Sequence, residues 1–275
     1  MRGAVIHAPG DVRVEERENP TIVAPTDAII RVSATCVYGS DLGDYRGVNE
    51  VTQPTPMGHE YVGVVTEIGD SVVGSFFASD NTCEICEAGY QSRCAHAEDV
   101  GAHGAQSEYL RVPLADGTLV ATPGMPDDDL VPSLLAASDV LGTGWFGAVA
   151  AEAGPGKTVA VVGDGAVGLL AVLAAKQLGA ERIIAMSRQK LAREFGATDI
   201  IAERGDEGVA GIKELTGGYG AHSLIEVVGT QKSMMQAIRS TRAGGHVGFV
   251  GVAHGVELPG KAMDESRAIK TLLKP

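Results

Sequence analysis

No apolar run in this 275-residue chain approaches the ~18 to 20 residues that a membrane-crossing helix requires, because Gly, Lys or Asp breaks each of the longer stretches. A membrane-spanning role is not expected. Positive charge is also in short supply: 22 Lys and Arg stand against 35 Asp and Glu, giving a formal net charge of −13 and a pI near 4.9. A field of that sign repels polyanions, so nucleic acid is not an expected partner. Nor is a signal peptide expected, since Met1-Arg2-Gly3-Ala4-Val5-Ile6-His7 meets Pro9-Gly10 too soon and reads as a first strand. The expected location is cytoplasmic. Cysteine is limited to four residues, and three of them, Cys83, Cys86 and Cys94, fall within a span of twelve. In a reducing compartment that clustering favours a metal site over disulfides. Internal repeats and low-complexity segments do not occur.

What the chain has in excess is glycine, 37 residues in tight clusters that mark turns and close backbone approaches. The length allows one large domain or two modest ones, with enough surface to bury a core without stapling. Up to about residue 125 the pattern is short strand-like runs between turn residues: Ala28–Val32, Tyr61–Thr66, Glu108–Val112 and Thr118–Ala121. That texture predicts a compact β unit. From Pro126 it changes. Asp127-Asp128-Asp129 is expected to cap a helix over Leu130–Leu141, after which strands (Thr158–Val162, Arg182–Met186, Asp199–Ala202, Ser223–Val228, His246–Val250) alternate with helices (Ala166–Leu178, Glu207–Leu215, Ser233–Arg242). Alternation of this kind predicts a doubly wound parallel sheet.

Three constellations carry chemistry. Gly163-Asp164-Gly165-Ala166-Val167-Gly168 leaves an apolar strand and opens an apolar helix. Its glycines serve a tight turn, approach of the backbone to a pyrophosphate, and close helix packing, so the motif reads as a dinucleotide site over a bland glycine turn. An NAD site wants an acid at the end of the second strand, but Ile183 to Lys190 contains none. Ser187 and Arg188 offer a hydroxyl and a guanidinium fork suited to a 2′-phosphate, which favours NADP(H); the alternative is that Arg188 is a solvated cation at a helix entry. The second constellation is Cys83-x2-Cys86 with Cys94 and the preceding Asp80. Three thiolates and a carboxylate would close a tetrahedral structural zinc site, with His96 as the substitute for Asp80. The third is Gly58-His59-Glu60, preceded by Tyr38-Gly39-Ser40-Asp41 and followed by Asp139. A His, carboxylates and a hydroxyl suit a catalytic ion or the positioning of a carbonyl, although spacing alone does not establish this.

Taken in order, Gly39-Ser40-Asp41, Gly58-His59-Glu60, the cysteine knuckle, Gly163–Gly168 and Gly244-Gly245-His246-Val247-Gly248-Phe249-Val250-Gly251 resemble the medium-chain dehydrogenase/reductase superfamily in its zinc-type alcohol dehydrogenase branch. The resemblance implies an α/β protein: a GroES-like β-barrel catalytic domain over 1–138, to which a strand at 264–275 returns, and a Rossmann domain over 139–263. The cofactor would also meet Val228, Gly229, Gly251 and Val252. The substrate, a small alcohol or carbonyl compound, would lie between the domains, with Trp145, Phe146 and Gly43 lining its cleft. A homodimer or homotetramer is implied.

The resemblance further implies a catalytic zinc on His59, Glu60 and Asp139, but the position of its usual cysteine is Tyr38, and Cys36 lies two residues too early. Two mechanisms follow from that departure. In one, zinc polarises the carbonyl and Ser40 relays the proton. In the other, favoured because the thiolate best matched to zinc is gone, no catalytic zinc is present and the Tyr38 hydroxyl donates the proton. A quinone or enone reductase and a non-catalytic nucleotide-binding protein remain the competing classes. The chain also departs from the family in length, at Asp70–Gly74, after Arg188 and near Gly260-Lys261.

Overall fold

The computed structural model describes residues 1–187 and 191–253. The chain divides into two compact units, Met1–Asp139 and Val140–Pro275. Arg188 and the expected returning strand at 264–275 lie outside the described residues.

In the first unit, β1 (Arg2–Ala8) and β2 (Asp11–Glu16) form a hairpin across the Pro9-Gly10 turn. After β3 (Ala28–Thr35) come the short helix α1 (Asp41–Tyr45) and β4 (Thr55–Pro56), which completes a β2-β1-β4 sheet. Next follow β5 (Tyr61–Val65), β6 (Ser71–Gly74), β7 (Phe77–Ala78), α2 (Glu84–Glu87), β8 (Glu98–Asp99), β9 (Tyr109–Val112), α3 (Ala115–Thr118) and β10 (Leu119–Ala121). The larger sheet is antiparallel throughout and ordered β10-β6-β5-β3-β9, and Gly3 bridges to Ser107 beside it. Ile30, Tyr61, Val72, Leu110 and Val112 from alternate strand positions make the core, as the two-residue period of a half-buried strand requires.

The unit closes with α4 (Val131–Ser138). The helix expected over Leu130–Leu141 is interrupted: Asp139 leaves helical geometry at φ −140°, ψ −67°, and a separate helix, α5 (Val140–Ala150), begins after it. The break comes from tertiary bonding. Ser138 Oγ donates to the Gly74 carbonyl at 2.6 Å and accepts from the Tyr61 N–H at 3.1 Å, pinning the helix end to β5 and β6. Nor do Asp127 to Asp129 supply a side-chain cap; Pro132 sits in the first turn, where its missing N–H costs nothing.

The second unit continues from α5 through β11 (Thr158–Val162), α6 (Ala166–Gln177), β12 (Arg182–Met186), α7 (Ala192–Phe195), β13 (Asp199–Ile201), α8 (Gly205–Leu215), β14 (Ala221–Glu226), α9 (Gln231–Ser240) and β15 (Thr241–Phe249). All its strand pairs are parallel, in the order β13-β12-β11-β14-β15. Both faces are covered, so alternate residues of one strand enter opposite cores. Val159 and Val161 pack with α5 and α6 residues such as Ala148 and Val172, while Ala160 and Val162 pack with Ile212 of α8 and Ala237 of α9. A Cβ on Gly144 would meet the α6 backbone, which explains how α5 and α6 lie so close. The last helix stops at Ser240, two residues before the Arg242 end read from the sequence, because β15 starts at once with Thr241. Among the described residues no single helix is long and apolar enough to cross a membrane.

Candidate functional site

Within the first unit, His59, Glu60 and Asp139 converge so that one nitrogen and two carboxylate oxygens lie within 4.8 Å of one another. Local structure fixes each. Gly58 takes φ +89°, and a Cβ there would strike Gln106, so only glycine lets the chain turn into His59 beneath that neighbour. Glu60 follows with its carbonyl bound by Thr35 Oγ1 at 2.9 Å, and Asp139 sits at the helix end held by Ser138. His59 Nε2 is 3.3 Å from Asp139 Oδ2 and 3.4 Å from Ser40 Oγ, while its Nδ1 lies 4.0 Å from Asp41. Tyr38 is half-buried, and its backbone N–H donates to Asp41 Oδ2 at 2.7 Å.

The electrostatics of this cluster are those of crowded negative charge. Burial, then the neighbouring Asp139, push the Glu60 carboxyl above its ordinary pKa. Burial opposes a charged His59, yet the hydrogen bond to Asp139 and the charges of Asp41 and Glu60 outweigh it and raise its pKa. The Cys36 thiol is pushed up to about 12 by burial and by the same carboxylates, Glu60 first among them. Glu60 is only 2% exposed, and its Oε1 has no hydrogen-bond partner. A buried carboxylate oxygen left that way costs free energy unless a cation completes it, so the residues present fit a divalent metal.

The knuckle also fits one. Cys83 Sγ lies 3.5 Å from Cys86 Sγ and 3.9 Å from Cys94 Sγ, bracketing the ~3.8 Å edge of a tetrahedron with ~2.3 Å zinc–sulfur bonds. Asp80 Oδ1 stands 3.3 Å from Cys94 Sγ and takes the fourth corner. His96 is not that ligand but its partner, with Nδ1 at 2.5 Å from Asp80 Oδ2. The Thr82 N–H and then His96 hold the Asp80 carboxyl well below its usual range. The Ala95 N–H brings Cys83 down to about 7, whereas burial lifts Cys86 to about 12.

In the second unit, Gly163 turns at φ +120° and Gly165 opens α6 with no atom within 4 Å of the position its Cβ would occupy. A Cβ on Gly168 would collide with the Gly163 carbonyl. The turn is therefore a glycine-lined cradle at a helix N-terminus, with Ala166 exposed and Val167 buried, and it fits a pyrophosphate. Ser187 follows β12 and its hydroxyl donates to Asp164 Oδ2 at 3.2 Å. Gly229 on one strand-end loop abuts Gly251 and Val252 on the next, while the Val228 side chain reaches the space beside Gly163. The residue that organises both loops was not anticipated. Glu226 is fully buried; its Oε1 accepts the Val228 and Gly229 N–H groups, each at 2.9 Å, and its carbonyl accepts those of Val250 at 2.9 Å and Gly251 at 3.2 Å.

Of the residues expected to line a substrate cleft, Trp145 and Phe146 lie half-exposed on α5 in the second unit. Gly43 lies within α1 of the first, where a Cβ would come 3.0 Å from the Asn49 side-chain amide.

Comparison with known proteins agrees with this construction. A family model for the alcohol dehydrogenase GroES-like domain matches residues 24–124, and one for zinc-binding dehydrogenases matches 166–271. A medium-chain reductase/dehydrogenase of an Acremonium species is 36% identical, covering 96% of this chain and 97% of the relative. The chain belongs to the zinc-type alcohol dehydrogenase branch of the medium-chain dehydrogenase/reductase superfamily. Zinc-type alcohol dehydrogenase B of Aspergillus flavus is 37% identical, over 94% of this chain but only 65% of its own length. Among solved structures, an alcohol dehydrogenase of a Thermus species superposes with a TM-score of 0.86 at 31% identity, covering 98% of this chain and 84% of that one. As a member of this branch, the chain is an oxidoreductase with a GroES-like domain and a Rossmann domain.

Proposed function

We propose that this oxidoreductase transfers hydride between NADP(H) and an alcohol or its carbonyl counterpart, as an NADP-dependent alcohol dehydrogenase or carbonyl reductase. The observation that carries the reading is the convergence of His59, Asp139 and the unsatisfied Glu60 oxygen in the unit that also carries Ser40. Preference for NADP(H) is supported by Ser187, which stands where an NAD site would carry an acid.

The Gly163–Gly168 turn would hold the pyrophosphate of a nicotinamide dinucleotide, which would supply or accept the hydride, and His59, Glu60 and Asp139 would hold a divalent cation able to stabilise charge on the substrate oxygen. The protein's own groups handle the accompanying proton. Ser40 Oγ, exposed and 3.4 Å from His59 Nε2, is placed to pass it between the substrate oxygen and water. Thr35 and Ser138 hold Glu60 and Asp139 still, so neither must reorganise during the reaction. Zinc in the Asp80, Cys83, Cys86 and Cys94 knuckle serves structure alone, because all four corners are taken by protein.

A second reading is favoured by Tyr38, which stands where the family carries a thiolate. There the centre holds no cation and the Tyr38 hydroxyl donates the proton. Metal analysis combined with NADPH consumption separates the readings. Two metal ions per chain, with turnover of a ketone or aldehyde and an active Tyr38→Phe variant, support the first. One ion per chain and an inactive Tyr38→Phe variant that still binds NADPH support the second. Turnover of enones alone would make the protein a double-bond reductase, and no turnover of either class would leave only nucleotide binding.

A further inference from the structure

Three strand ends of the second unit bring a carboxylate, a hydroxyl and a guanidinium together. Asp164 lies in the glycine-rich turn after β11, Ser187 follows β12, and Arg204 follows β13 as the residue before α8. Ser187 Oγ donates to Asp164 Oδ2 at 3.2 Å, and Arg204 Nη2 stands 3.9 Å from the same oxygen. The other arm of the guanidinium rests on carbonyls of its own strand end, with Nη1 3.2 Å from the Ala202 oxygen and 3.3 Å from that of Glu203. Both charged side chains are partly exposed, Arg204 at 37% and Asp164 at 28%.

The chemistry of a ribose 2′ position turns on the sign of charge beside it. A carboxylate there accepts a bond from a free 2′-hydroxyl and repels a 2′-phosphate, while a guanidinium does the reverse. Although β12 ends without an acid, Asp164 reaches across to Ser187 and puts a carboxylate at that place after all. Left uncompensated, it would favour NAD(H). We propose that Arg204 decides the cofactor: it offsets the charge of Asp164 and offers a guanidinium to the 2′-phosphate, so that the Asp164–Arg204 pair sets discrimination between NADP(H) and NAD(H). This rests on the NADP(H) reading above and adds a residue that reading did not contain.

The test is binding, measured without substrate on the full chain by the fluorescence of NADPH and of NADH, with Arg188 intact in every variant. The wild type binds NADPH more tightly than NADH. Arg204→Gln weakens NADPH about 10- to 100-fold, the worth of a charge-assisted bond to phosphate, and leaves NADH within about threefold. Arg204→Lys keeps the charge without the fork and falls between. Asp164→Asn keeps an amide oxygen but removes the negative charge that strengthens a bond from a 2′-hydroxyl and repels a 2′-phosphate, so NADH weakens while NADPH holds or tightens. A wild type that binds NADH as tightly as NADPH overturns the NADP(H) reading and this inference with it. A wild type that prefers NADPH, with Arg204→Gln and Arg204→Lys both unchanged or both weakened equally for the two cofactors, overturns the inference alone.

Discussion

Glu226→Ala gives the sharpest test of how the second unit is held together. The carboxylate is fully buried, and one oxygen accepts the N–H groups of both Val228 and Gly229 at 2.9 Å. Removing it leaves two donors without a partner, one of them buried, at roughly 1–3 kcal/mol each. Water entering the vacated space would recover part of that, so the expected loss is about 3–4 kcal/mol, a large share of the ~5–15 kcal/mol that holds a typical domain folded. Glu226→Gln keeps the acceptor but buries an amide NH2 where Oε2 has no partner, and should cost about 1–2 kcal/mol. Urea unfolding followed by the chain's one tryptophan, Trp145 in α5 of the same unit, reads the difference directly. A Glu226→Ala midpoint within ~1 kcal/mol of wild type at unchanged slope would refute the reasoning, because the loops would then not depend on that carboxylate.

Other perturbations follow from the first unit. His96→Ala removes the bond that orients Asp80, and should weaken zinc retention at the knuckle about 10- to 100-fold in competition with a chromogenic chelator; equal retention would mean that Asp80 needs no such support. If the centre holds a cation, as the first reading has it, Glu60→Gln should release that ion while the knuckle keeps its own, so the metal count falls by one with little change in unfolding midpoint. Asp27 carries a pH dependence. Its side chain is 1% exposed, and the Arg111 guanidinium holds its pKa down at about 2. A carboxyl depressed in the folded state adds stability that is fully present above its unfolded pKa of ~3.9 and is lost as pH falls through the folded value. After allowance for solvent screening the stake is about 1–2 kcal/mol. The stability gap between wild type and Asp27→Asn should therefore close between pH 4 and pH 2, and a gap constant over that range would count against the pair.

What the sequence showed and what it hid divide along one physical line. The cysteine knuckle and the glycine turn were legible because their members are neighbours in the chain, where spacing alone sets geometry. Asp139 was legible only through family resemblance, and the helix break that exposes it was not foreseen. Nothing local marks that break, since Leu130 to Leu141 contains no glycine and its single proline, Pro132, lies in the first turn. It is made by Ser138 bonding to β5 and β6, residues far off in sequence. Glu226 and Arg204 escaped for a related reason. Glu226 sits inside an apolar strand run, where a buried acid reads as an interruption until the N–H groups it accepts are seen, and Arg204 meets Asp164 only after α6, β12, α7 and β13 have folded between them.

Charge counting at the His59 centre bears on the departure that matters most, Tyr38. With a thiolate at that position beside Glu60 and Asp139, the donor set would carry three negative charges against a divalent ion. With a neutral tyrosine it carries two, one from each carboxylate, and a divalent ion brings the sum to zero. Asp41 does not upset the balance, because it is engaged elsewhere, accepting the Tyr38 N–H at 2.7 Å and facing His59 Nδ1 at 4.0 Å. At that distance it acts on the histidine through its charge and makes no hydrogen bond to the ring. Loss of the thiolate therefore removes the softest donor without removing the electrostatic demand for a cation. What changes is selectivity: a nitrogen and two carboxylates bind a harder ion less discriminatingly than a site with sulfur, while the thiolate knuckle still prefers zinc. Chelation should empty the His59 centre first, and manganese or cobalt should refill it while the zinc of the knuckle stays in place. An ion at the centre that resists a chelator as firmly as the knuckle's would contradict the assignment of a thiolate-free donor set.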